Sequence, residues 1–146
     1  MNLITALEAS RISEIKKNWC VFLNVEKALV ENYFEWLDLK IHHPNKTLFG
    51  KGTLNFKNKS YDIELYYSPF LSYRYDRIYI KDKSIRYNDD IHLYKDMSLC
   101  LYHPIIDKPL LRGISLYKMI PWITEWIVLY EKYKQYGVWL GKEIKH

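Results

Sequence analysis

Cys100 is the residue around which chemistry could gather. It lies in the run Asp96-Met97-Ser98-Leu99-Cys100-Leu101-Tyr102-His103-Pro104, with His92 upstream and His103 just downstream. A thiolate attacks acyl groups well and leaves well, and an adjacent imidazole can raise the thiolate fraction or donate to an oxyanion. The same residues also suit a buried structural thiol. As a metal site the set is thin, because Cys100-x-x-His103 with His92 falls short of the four N or S ligands of structural zinc. His42 and His43, next to Pro44, read as surface residues, and Cys20 beside Trp19 as a small core hydrophobe. There is no Gly-rich phosphate loop, dinucleotide fingerprint or serine nucleophile elbow, so no cofactor is expected.

The elements that would hold Cys100 follow from periodicity. From Asn2 to about Tyr33 there is no Gly or Pro, and Ile12, Ile15, Trp19 and Phe22 fall on one helical face. This predicts an N-terminal helix with a break near Asn24. The period then becomes two, predicting strands over Trp36–Ile41, Thr47–Phe56, Tyr61–Tyr67 and Arg77–Lys81, with a turn at Lys57–Ser60. Gly50 and Gly52 suggest a bulge or a close backbone approach. Four strands on short connections give an antiparallel meander, which buries one face under helices. Residues 82–112 show neither period, and a long irregular segment is a usual home for function. A final helix is predicted to open at Pro121, to bury Ile123, Trp126, Ile127 and Tyr130, and to stop at Gly137.

The 146 residues fit a single domain spanning 1–146, with a fold of the α+β class. An apolar share of 49% against 27% charged excludes disorder as the dominant state. The longest apolar runs, Trp19–Leu23 and Trp126–Tyr130, are far short of the roughly 20 residues of a membrane span. The start MNLITALEAS has no basic segment leading into an apolar one, so no signal peptide is read. Two cysteines are too few for a disulfide framework, and the chain reads as cytoplasmic. Its net charge of +5 is matched by the five lysines between Leu39 and Tyr61, a stretch without an acid that suits a solvated face or an acidic partner. A basic RNA-binding domain is the least favoured reading, because it needs stacking platforms interleaved with these lysines and Phe49 and Phe56 give it only weak support.

With these residues in view, the chain resembles ubiquitin-conjugating enzymes. Leu99, Cys100 and Leu101 match the hydrophobic-Cys-Leu pattern of the nucleophile, with His92 and Tyr94 where an upstream motif falls. It is similar above all to the bacterial branch found in type II CBASS anti-phage operons. The matching residues are His92-x-Tyr94, Ser98 to Pro104, Pro121-Trp122-x-x-Glu125-Trp126, Tyr130-Glu131, Trp139-x-Gly141 and His146. The resemblance implies a ubiquitin-conjugating-enzyme-like fold: N-terminal helix, four-stranded antiparallel meander, Cys-bearing loop, C-terminal helix. It implies an acyltransferase that forms a thioester at Cys100 with the C-terminal tail of a partner. That partner would be a cyclic-oligonucleotide synthase, a cGAS-like nucleotidyltransferase, conjugated or primed in antiviral defence. His92, with the backbone amides around Leu101, would stabilise the oxyanion. His103 would raise the thiolate fraction or cap the loop before Pro104, and Asp107 would orient or deprotonate the attacking amine. Tyr94 and Asp96 would shape the loop. Met97 stands where the family has Gly, so its turn must avoid positive φ or accept strain. A non-catalytic scaffold of the same fold is the alternative reading.

Overall fold

The computed structural model describes residues 2–71, 75–101 and 115–141. Its N-terminal helical stretch divides into α1 (Leu3–Lys17) and α2 (Trp19–Tyr33). The break falls at Asn18, not near Asn24. Asn18 leaves helical geometry at φ −107° and ψ 39°, and its side-chain amide donates to the Glu14 carbonyl at 3.1 Å. Such a short amide competes with the helix for backbone groups. Asn24 points the same kind of bond at the Cys20 carbonyl, 2.9 Å away, without interrupting α2. Cys20 itself is half-buried rather than a core residue.

Four strands follow: β1 (Leu37–His42), β2 (Thr47–Phe56), β3 (Lys59–Tyr67) and β4 (Asp76–Ile80). They pair antiparallel in the order β1-β2-β3-β4, a plain meander. Because side chains alternate along a strand, Leu37, Leu39, Leu48, Tyr61, Ile63, Leu65, Tyr67 and Ile78 all turn inward and are buried. Each fully buried aliphatic side chain contributes about 1.5–3 kcal/mol. The register runs unbroken past Gly50 and Gly52, so there is no bulge. Their small size serves close approach instead. A Cβ on Gly50 would strike the Leu39 side chain, and one on Gly52 would strike the Trp36 carbonyl.

The same alternation scatters the lysine stretch. Lys40 and Lys51 face outward on β1 and β2, and Lys46 and Lys57 sit in the two hairpin turns at φ 51° and 54°. Lys59 instead pairs with Asp82 at 2.7 Å.

The closing helix, α3 (Leu116–Tyr136), starts five residues before Pro121, which therefore lies inside it. Proline there removes one intrahelical hydrogen bond. Leu116, Met119 and Ile120, all fully buried, favour the earlier start. Ile123, Trp126, Ile127 and Tyr130 form the inward face as predicted. Gly137 ends the helix at φ 76°, its N–H bonded to the Tyr133 carbonyl at 2.8 Å. Glu26 of α2 reaches the start of α3: Ser115 Oγ donates to both carboxylate oxygens at 2.9 and 3.0 Å. The backbone N–H groups of Leu116 and Tyr117 donate to the same carboxylate. A carboxylate is the natural partner of a helix N-terminus. No described helix is long and apolar enough to cross a membrane.

Candidate active site

Between β4 and the undescribed stretch 102–114, the chain builds a short platform for Cys100. Leu93 and Leu99 face each other in an isolated antiparallel bridge. The Tyr94 N–H donates to the Ser98 carbonyl at 2.9 Å and the Met97 N–H to the Tyr94 carbonyl at 2.8 Å. The Asp96 carboxylate accepts from the Ser98 backbone at 2.9 Å and from its hydroxyl, and pairs with Arg77 of β4 at 3.4 Å. The Leu99 N–H then donates to the Ile78 carbonyl at 2.8 Å, which fastens the platform to β4. Asp96 thus shapes the loop as expected. Met97 accepts the strain of its turn, standing at φ 73°, a conformation that costs a non-glycine residue roughly 1–2 kcal/mol.

Cys100 and His92 are brought together. The Cys100 N–H donates to the His92 carbonyl at 3.0 Å, so this amide is engaged in holding the platform. His92 itself is in the left-handed region, φ 56° and ψ 56°, directly after a single 3₁₀ turn, Asp89–Ile91. Its ring lies 5.0 Å from that of Trp139. The indole N–H of Trp126 donates to the Ile91 carbonyl at 2.9 Å, which ties the turn to α3.

His92 and Cys100 line one groove with Leu101, Trp122, Glu125, Trp126, Leu129 and Trp139, about 180 Å³ in volume. Cys100 is 3% exposed and opens onto this groove. Trp122, Glu125, Trp126 and Leu129 follow the i, i+3, i+4, i+7 spacing of one helix face. That spacing is present in the sequence, and Trp122, Glu125 and Trp126 stand in the matched motif, but nothing in the motif places Glu125 as a carboxylate on the groove wall. Trp139 was missed as a wall residue too. Its segment folds back on α3 so tightly that a Cβ on Gly141 would collide with Leu129. His103 and Asp107 lie outside the described residues. Among the described residues, no group of three or more His, Cys, Asp or Glu is placed to hold a metal ion. His42 and His43 are exposed.

A helix, a four-strand meander, a cysteine beyond the last strand and a helix closing over the core make an arrangement like that of ubiquitin-conjugating enzymes. The family model described as "Type II CBASS E2 protein" matches residues 26–146. The chain belongs to that family, which places it among the components of CBASS defence. The match begins at Glu26 and leaves α1 and the first half of α2 outside it. No curated protein and no solved structure matched the chain.

Proposed function

We propose that Cys100 carries an acyl group as a thioester and transfers it to an amine. The thiolate attacks the carbonyl carbon of an activated C-terminal acyl group, and the activating group departs with its electron pair. An amine then attacks the thioester carbonyl, the C–S bond breaks as the amide forms, and the thiolate leaves while the surplus proton of the amine passes to solvent. The C-terminal tail of a cyclic-oligonucleotide synthase is the acyl donor, and His92 donates an imidazole N–H to the oxyanion of each tetrahedral intermediate. His103 raises the thiolate fraction, and Asp107 orients the incoming amine.

The observation that carries this reading is that His92 and Cys100 share one groove beside a single backbone hydrogen bond. Aromatic side chains line that groove, and a dry surrounding strengthens each hydrogen bond to an oxyanion. Intact-mass analysis of the protein co-expressed with its operon neighbours tests it, with Cys100→Ser beside it. The expected result is an adduct that thiol reagents remove from the wild type, and a reagent-stable ester on the variant. His92→Ala should slow transfer by roughly 10²–10³-fold, the usual cost of losing one oxyanion donor. The burial of Cys100 favours a second reading, a partner-binding scaffold that has kept this fold. Stable partner binding with no adduct on either protein would select it.

A further inference from the structure

The outer face of the sheet presents an aromatic row that the sequence order conceals. The β2–β3 and β3–β4 registers set Phe49 opposite Tyr66 and Tyr66 opposite Arg77, while Lys40 of β1 stands opposite Phe49. The Phe49 and Tyr66 rings are 5.0 Å apart, and Tyr79 of β4 meets Tyr66 edge-on at 6.3 Å. Three rings from three strands therefore form one platform. Cations are interleaved with it: Lys51 lies 5.5 Å over the Phe49 ring and Lys81 5.0 Å over the Tyr79 ring. Tyr66, at the centre, is 38% exposed. At the β1–β2 end the platform runs into a groove of about 440 Å³ lined by Lys40, His42, Asn45, Phe49 and Tyr66, among others.

Tyr66 is exposed and the flanking Phe49 and Tyr79 rings are half-buried, and an exposed ring among others on a solvated sheet face marks a surface that something can cover. Rings alternating with cations suit a ligand made of flat bases and phosphates, because each base stacks on a ring and each phosphate meets a cation. The face does hold acids. Asp38 and Asp62 are exposed on it, and Glu64 is bracketed by Lys51 at 3.6 Å and Lys81 at 3.2 Å. The row from Lys40 through Phe49 and Tyr66 to Arg77 contains none. Since Arg77 pairs with Asp96 at 3.4 Å, Lys40 is the cation of that row that a phosphate would meet first. His42 and Asn45 on the rim of the groove offer hydrogen bonds that a 2′-hydroxyl would use. We infer that this outer sheet face binds single-stranded RNA, stacking bases on Phe49, Tyr66 and Tyr79 with phosphate contacts from Lys40 and its neighbours. The site is separate from the Cys100 groove and does not rest on thioester chemistry.

Fluorescence anisotropy with a labelled oligouridylate of about a dozen nucleotides tests it. Binding should weaken as salt rises, and Phe49→Ala and Tyr66→Ala should each weaken it roughly tenfold. Lys40→Glu changes an exposed residue and keeps the test sound should an aromatic variant unfold. It should weaken binding and flatten the dependence of log Kd on log salt by about one. Cys100→Ser should leave binding unchanged, which separates this site from the proposed reaction. Absence of binding at low salt, or binding indifferent to all three surface variants, overturns the inference. Oligothymidylate bound as tightly overturns the assignment to RNA. A polyglutamate peptide held by the same residues while the oligouridylate is not would assign the face to an acidic protein.

Discussion

Met97 shows how much a single residue beside the proposed nucleophile is asked to tolerate. Its side chain packs against the core while its backbone holds φ 73°. A β-branched residue of similar bulk suffers most in that region. Met97→Ile is therefore expected to cost about 1–2 kcal/mol, whereas Met97→Leu, which keeps volume and χ1 freedom, should cost less. Urea denaturation of the two variants measures the difference. Glu26 is the second such residue. Burial raises its pKa, only partly offset by the hydrogen bonds from Ser115, Tyr117 and Leu116 and by the nearby Lys118 charge. A folded-state pKa above the unfolded one means that the unfolded chain loses its proton first as pH rises. The stability contributed by protonated Glu26 is thus complete below the ordinary glutamate range and is lost as pH climbs through the raised value. Melting temperatures followed from acid to neutral pH should show that decline, and Glu26→Gln should remove it.

At the scale of elements, the sheet is positioned by what cannot be added to it. Gly52 sits where β2 passes the Trp36 carbonyl, and a backbone carbonyl cannot move aside as a flexible side chain can. Gly52→Ala is expected to cost several kcal/mol, of the order of severe overpacking, and to lower the melting temperature far more than Thr53→Ala on the exposed face next to it. The N-terminal helices carry a different lesson. The helical period from Asn2 to Tyr33 was legible in the sequence, but the break was not, because Asn18 and Asn24 offer the same amide at the same spacing to a carbonyl four residues back. The early start of α3 was hidden for a related reason. Pro121 is a strong local signal, and only the burial of Leu116, Met119 and Ile120 overrides it.

Across the whole molecule, Lys59 at the start of β3 and Asp82 just after β4 pin the far end of the sheet. Burial raises the Asp82 pKa, but hydrogen bonds from Lys59 and Ser84 and the Lys59 charge outweigh it and bring the value down to about 2. The folded pKa is depressed, so the stabilisation is present above the ordinary aspartate value and is lost as pH falls through about 2. Asp82→Asn should flatten that part of the acid-unfolding curve followed by circular dichroism. At neutral pH the loss should be modest, since Lys59 is 40% exposed and the pair is screened.

What the sequence by itself determined is what local pattern controls. The strands lie within a residue or two of their predicted bounds, because alternation and turn residues are set by neighbours along the chain. Cys100 with His92 was identified as the candidate pair from residue type and the resemblance of the run around them. The tertiary structure decided what depends on register and crossing. It set Trp122, Glu125 and Trp139 around the cysteine, although Trp139 comes from beyond the closing helix. It also dispersed a run of five lysines over two faces and two turns. Conversely, it gathered Phe49, Tyr66 and Tyr79 from three strands into one platform. Neither outcome is visible in a linear string, because which residues stand opposite each other is fixed only when the strands pair.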